Sequence, residues 1–218
     1  MLDFNLVAPF LPYLLMGALV TIEISVLATA LGLVLGLIAA LARMSPIKPL
    51  VWFADFYVWS IRGTPVLVQL FIVYFGLPQF GIELGAMLAA VLALGANTGA
   101  YVAEILRGGI MAVPTGQVEA AESLGMSYAK VMRRVILPQA FRLSIPALGN
   151  QAVSMLKESS LASLVTVNEL MMVSQRFAAT NYAYMEFYIM AAVIYLIMTT
   201  AMSWVLKKIE FRMSVSER

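Results

Sequence analysis

The sequence contains neither cysteine nor histidine. The first absence excludes disulfides, thiolate metal sites and thiol nucleophiles. The second removes the commonest general base, the commonest metal ligand and every Ser-His-Asp arrangement. Charge is scarce as well: Asp, Glu, Lys and Arg make up 12% of 218 residues, and a net charge of +2 is too small to argue for a nucleic-acid partner. No G-x-x-x-x-G-K-[ST] run occurs, so no phosphate-cradling loop of that type exists in this chain. What remains is apolar. With 62% hydrophobic residues and a mean hydropathy of +0.90, the chain belongs in lipid as a polytopic, all-α membrane protein.

Apolar runs cover 12–42, 50–77, 84–106, 138–164 and 184–206, which predicts about five membrane helices. Lys and Arg collect after the first run (Arg43, Lys48), between the third and fourth (Arg107, Lys130, Arg133, Arg134) and after the fifth (Lys207, Lys208, Arg212). The positive-inside bias therefore predicts an outer N-terminus and a cytoplasmic C-terminus, with Arg176 on the outer side against the trend. The opening stretch carries Asp3 and no basic residue, so it is read as mature sequence without a secretory leader. The second run is interrupted by Arg62, Gly63 and Pro65; a bend is expected there, with the first half lying along the membrane surface. One membrane domain, 1–218, is expected, without repeats. Gly32 with Gly36 and Gly95 with Gly99 recur at helix-face spacing and read as packing contacts.

A long polar segment at 108–136 stands out. Thr115 is placed to cap a short helix, Glu119 suits the start of its dipole, and Gly125 suits a left-handed stop. A second helix starts at Ser127 and enters the membrane near Pro138. The run E-A-A at Glu119, Ala120 and Ala121, then three residues and Gly125, closing in Ile136, Leu137 and Pro138, resembles the coupling loop of bacterial ABC-type importer permeases. The stretches IRGTPVLVQLFIVYFGLPQFG, ANTGAYVAEILRGGI, LPQAFRLSIPALGNQAVSMLKESSL and LKKIEFRM resemble the polar-amino-acid subfamily of these permeases, and the likeness spans nearly the whole chain. It implies a type I importer permease fold in the bacterial inner membrane. It also implies a second permease subunit, identical or a sister, a dimer of ABC ATPase subunits that carries the ATP and Mg, and an extracytoplasmic solute-binding protein that delivers an amino acid. Catalysis would lie outside this chain, and no nucleic acid is implied.

Ionisable and amide groups within spans are costly and mark candidate sites. Asn97, Tyr101 and Glu104 share one face of the third span, and Gln151, Ser154 and Glu158 one face of the fourth. Asn97 and Gln151 fall near the midplane, so two polar stripes are expected to line one cavity. An α-amino acid presents an ammonium and a carboxylate. Glu158 is the candidate acceptor for the first. Asn97, Gln151 and backbone N–H groups freed near Pro146 are candidates for the second, with Tyr101 and Ser154 beside them. The resemblance points to the same two helices, and relatives that move cationic amino acids often carry an acid where this chain has Gln151, which implies a neutral polar cargo. Other readings stay open: Asn97 and Gln151 as interhelical hydrogen-bond partners, Glu158 beside Lys157 as interfacial, and Glu104 as an ion pair with Arg107. Glu23, alone in the first span, faces either a partner subunit or the outer interface. Met171 and Tyr182 read as packing or interfacial residues. An ion-coupled secondary amino-acid transporter is the competing function, and it calls for repeated halves that this chain does not show.

Overall fold

The computed structural model describes residues 4–214, which are helical with no strand among them. Asp3, on which the expected lack of a basic leader partly rests, lies outside the described residues, as do 215–218. Helix α1, Leu11–Arg43, runs 33 residues, or about 50 Å at 1.5 Å per residue. Leu14 and Ile24 apart, its buried face is built of small residues: Gly17, Ala18, Thr21, Ser25, Ala28, Gly32, Gly36 and Ala39. Leu15, Leu19, Val26, Val34 and Ile38 are exposed. This inverts the pattern of a water-soluble helix. Lipid solvates leucine as well as another helix does, so close backbone approach decides which face packs inward.

The partner of α1 is α4, Ala86–Met111, and theirs is the most extensive helix contact in the fold. A methyl group built on Gly32 would meet the Thr98 side chain at 2.5 Å, and one on Gly36 would meet Val102 at 2.4 Å. Gly95 and Gly99 return the relationship against Leu31 at 2.7 Å and Leu35 at 2.9 Å. The two glycine pairs read from the sequence therefore form one seam.

The second apolar run is broken. Helix α2, Lys48–Arg62, and the segment Val66–Phe80 meet at a bend of 105°. Helix α3, Val66–Phe71, opens that segment and continues through a π-helical turn, Ile72–Gly76, and a 3-10 turn, Leu77–Phe80. Pro65 causes the break because it lacks an N–H and forces the preceding residue out of the helical region. A second π-helical turn, Met132–Ile136, precedes Pro138 as the first precedes Pro78. In both places widening the turn relieves the clash of the proline ring with the carbonyl four residues back.

Helix α5, Thr115–Ser123, and α6, Tyr128–Val131, follow α4, and the π turn then leads into α7, Leu137–Glu158. A 3-10 segment, Ser159–Val165, joins α7 to α8, Leu170–Asn181, and α9, Tyr184–Ser214, completes the described chain. Helix α8 was not foreseen; its apolar run is too short to register as a span. Among the described residues, Phe4–Arg43, Ala86–Met111 and Tyr184–Arg212 are long and apolar enough to cross a membrane, and the bent pair adds a fourth if counted as one. With 22 residues, α7 is about 33 Å long, enough to cross, but it is more polar than these. It packs between α4 and α9.

Two apolar clusters hold the bundle. One joins Leu14 of α1, Leu170 and Val173 of α8, and Phe187 and Ile194 of α9. The other joins Ile24 and Ala28 of α1, Leu70 of α3, Ala93 and Leu94 of α4, and Met155 of α7. Arg43, Met111 and Leu137 mark one end of the bundle, called here the basic end. Phe80, Ala86 and Tyr184 mark the far end.

Candidate functional site

The loop between α4 and α7 carries its own small core. Ala121 packs with Val113, Val131, Ile136 and Ala140, so this alanine faces inward, while Glu119 and Ala120 are exposed. Gly125 has φ +76; its N–H donates to the Glu122 carbonyl at 2.8 Å, and the Met126 N–H to the Ala121 carbonyl at 3.2 Å. These paired bonds close α5 in a Schellman turn, which needs the left-handed residue that glycine supplies. The turn pushes Leu124 outward to 82% exposure. One expectation is corrected. Thr115 makes no side-chain cap, because Pro114, extended at ψ 131, already occupies the capping position and Thr115 is the first helical residue.

The two polar stripes do not meet. Asn97 is 4% exposed, and its amide donates to the Gln69 carbonyl oxygen at 3.0 Å. The Gln69 amide nitrogen in turn faces the Ile61 carbonyl at 2.7 Å, the Thr64 carbonyl at 3.1 Å and the Thr64 hydroxyl at 2.9 Å. Gln69 thus satisfies the carbonyls freed at the break between α2 and α3, and Asn97 anchors that corner to α4. Tyr101 lies under the Arg62 guanidinium, 5.3 Å from its ring centroid. Glu104 pairs with Arg107 at 2.8 Å as expected, and also with Arg43 and with Arg62 at 3.6 Å. Arg43 in turn pairs with Asp55 at 2.6 Å. The α4 stripe is thereby committed to holding α1 and α2.

The α7 stripe is open. Gln151 and Ser154 are half-buried, and Ser154, Lys157, Glu158, Ser160 and Leu161 line a hollow of about 390 Å³. One Glu158 oxygen, Oε2, is buried and has no hydrogen-bond partner within the chain. A buried acceptor without a donor is costly, and the residue that carries this one lines the hollow. The expectation of freed N–H groups near Pro146 is corrected. Helix α7 continues unbroken through Pro146, and a proline removes a donor, so the group it frees is a carbonyl, an acceptor.

Glu169 is a site the sequence reading missed. It is fully buried, and its carboxylate accepts from the backbone N–H groups of Met171 at 2.9 Å and Met172 at 2.8 Å, the Tyr195 hydroxyl at 2.8 Å and the Thr21 hydroxyl at 3.2 Å. It caps α8 and ties it to α1 and α9. The available signal was an acid directly before the apolar run LMMV, the N-cap position of a short helix. Gln69, four residues after Pro65, had a similar signal. Glu23 is exposed on α1.

Residues 32–215 match the family described as binding-protein-dependent transport system inner membrane component, and the chain belongs to it: it is a multi-pass inner-membrane permease subunit of an ABC importer. Among its curated relatives is the arginine transport system permease protein ArtQ of Bacillus subtilis, 39% identical and covering 99% of both chains. The L-cystine transport system permease protein TcyB of the same species is 46% identical over 94% of this chain and 88% of its own. The glutamine transport system permease protein GlnP of Escherichia coli is 38% identical over 98% of each. A solved amino acid ABC transporter crystallised with histidines superimposes with a TM-score of 0.94 at 44% identity, covering 97% of this chain and 99% of that one. The MetNI methionine transporter, inward facing, shares the fold at a TM-score of 0.78 and 19% identity.

Proposed function

We propose that this chain forms one half of the membrane pathway of an ATP-driven importer for polar α-amino acids. The observation that carries the reading is whole-length likeness: permeases named for arginine, cystine and glutamine cover 99%, 94% and 98% of the chain. Those three cargoes differ in side chain and share an α-ammonium and an α-carboxylate. The shared chemistry needs one acid and a set of donors. Glu158 is the acid, and Ser154 and Gln151 lie within two turns of it on α7. With the neutral Gln151 in place of a second acid, the cargo is neutral and polar. In this conformation Asn97 is sealed against Gln69 of α3, so it reaches cargo only when α3 leaves α4, whereas Tyr101, stacked under Arg62, keeps part of its ring exposed.

The loop 108–136 is the coupling element, and the basic end faces the cytoplasm, with the N-terminus outside. Glu119, Ala120 and the exposed Leu124 form the knob that seats in an ATPase subunit; Ala121 and Gly125 set its shape. A pair of ATPase subunits holds ATP and Mg, two permease subunits enclose the pathway, and a soluble binding protein delivers cargo at the far end. Catalysis belongs to the ATPases. Closure of the ATPases moves the knobs, and the bundles rotate as rigid bodies. The ion-coupled alternative finds no support among the relatives.

The test is uptake of labelled glutamine, cystine, histidine and arginine into proteoliposomes holding the permease, its ATPase and its binding protein. Uptake of at least one that requires both ATP and the binding protein is expected. Uptake driven by an ion gradient without ATP overturns the proposal.

A further inference from the structure

At the basic end, a groove of about 170 Å³ opens between α1, α4 and α7, lined by Leu37, Leu41, Leu106, Ile110, Leu137 and Phe141. Its walls are almost wholly apolar. It adjoins a second cavity of about 230 Å³ at Ala40, Met44 and Ile110, and the second cavity is lined by Arg43, Asp55, Arg107 and Met111. A hydrocarbon slot thus leads directly into a charged recess, at the level where α1 and α4 end.

The ion-pair network that lines and backs that recess is unbalanced. Arg43, Arg62 and Arg107 face only Glu104 and Asp55, three positive charges against two negative. The Arg107 side chain is 47% exposed. Two of its nitrogens are held by Glu104, and the third, Nη1, is directed only at the Met111 sulfur, at 2.9 Å. Sulfur is a weak acceptor, readily replaced by a phosphate oxygen. Lys48, Arg133 and Arg134 are exposed nearby along the chain, the arginines one turn ahead of Leu137.

We propose that this paired groove and recess is a binding site for an anionic phospholipid, one acyl chain lying against Leu41 and Phe141 and the phosphate on Arg107. Basic recesses beside apolar clefts at the cytoplasmic ends of membrane helices suit acidic headgroups for this reason. Assignment to the cytoplasmic leaflet rests on the orientation proposed above; the site itself does not.

The test is native mass spectrometry of the assembled transporter after exchange against vesicles of equal phosphatidylglycerol and phosphatidylethanolamine. The wild-type complex is expected to retain phosphatidylglycerol over phosphatidylethanolamine by about fivefold, the scale of one well-placed cation. Arg107→Gln should abolish the preference while Glu104 keeps Arg43 and Arg62. Leu41→Trp should reduce retention of both lipids, whereas Leu19→Trp, on the exposed face of α1 away from the groove, should change neither. Equal retention of the two lipids by the wild type overturns the proposal, as does full phosphatidylglycerol retention by Leu41→Trp or a loss as large in Leu19→Trp. The readout is independent of transport, so it fails separately from the importer reading.

Discussion

The Tyr195 hydroxyl of α9 donates to the Glu169 carboxylate at 2.8 Å, inside a bundle where that carboxylate also caps α8. One buried acid therefore fastens three helices. Four donors meet its two oxygens, which is what makes so polar a group tolerable at that depth. Tyr195→Phe removes one donor and should cost about 1 kcal/mol. Glu169→Ala strands two backbone N–H groups and the Tyr195 hydroxyl, while Thr21 keeps the Gly17 carbonyl as acceptor, and should cost about 3 kcal/mol or more. Thermal melting of the purified complex checks the order; equal losses for the two variants would show that the carboxylate is not the common anchor.

The glycine seam yields a sharper contrast. A methyl group on Gly36 meets Val102 at 2.4 Å and the Gly99 carbonyl at 2.8 Å, whereas one on Gly108 meets nothing within 4 Å. Gly36→Ala should destabilise the bundle by about 1–3 kcal/mol through overpacking. Gly108→Ala should be neutral or mildly stabilising, since alanine is the better helix former. Adding Val102→Ala to Gly36→Ala should recover part of the loss.

In the loop proposed to couple to the ATPase, Gly125 at φ +76 tolerates a side chain poorly although the space beside it is open. Gly125→Val should strain the turn by about 1–2 kcal/mol and displace Leu124. ATP turnover should then proceed with little uptake, while the membrane bundle melts at its usual temperature. Gly125→Asn should retain most uptake, because asparagine enters the left-handed region more readily. Full uptake by the valine variant would mean that the loop geometry does not transmit movement.

For the cargo, Glu158→Gln should depress uptake by at least tenfold, about 1.4 kcal/mol for losing one charged partner of the ammonium. Gln151→Glu should shift preference toward cationic amino acids, read from competition between labelled glutamine and arginine. Unchanged selectivity would remove Gln151 from the site.

Asn97 separates architecture from recognition. Because its amide is bonded to Gln69, Asn97→Ala and Gln69→Ala should lower the melting temperature, and the double variant should lose less than the sum. Strict additivity would show the two side chains to be uncoupled.

Much of this was legible in the sequence because it depends on local rules. The apolar runs marked the spans, Pro65 marked the bend, and Gly125 marked the left-handed stop, each through a property of the residue itself. The family resemblance, carried by the Glu119–Ala121 run and the stretches around it, was likewise written in order along the chain. The stripes were a different matter. Helical spacing correctly put Asn97, Tyr101 and Glu104 on one face of α4, but spacing does not say what that face meets.

The chain alone therefore determined the solvent it lives in, the order of its apolar runs and the shape of its polar loop. Only tertiary structure decided that Asn97 answers Gln69 across 28 positions, that Glu104 gathers Arg43 and Arg62, and that Glu169 reaches Thr21 across 148. The reason is physical. In lipid an unpaired polar side chain is costly, yet any neighbouring helix can supply a partner. The choice falls to whichever backbones approach most closely, and the glycine seam between α1 and α4 sets that approach.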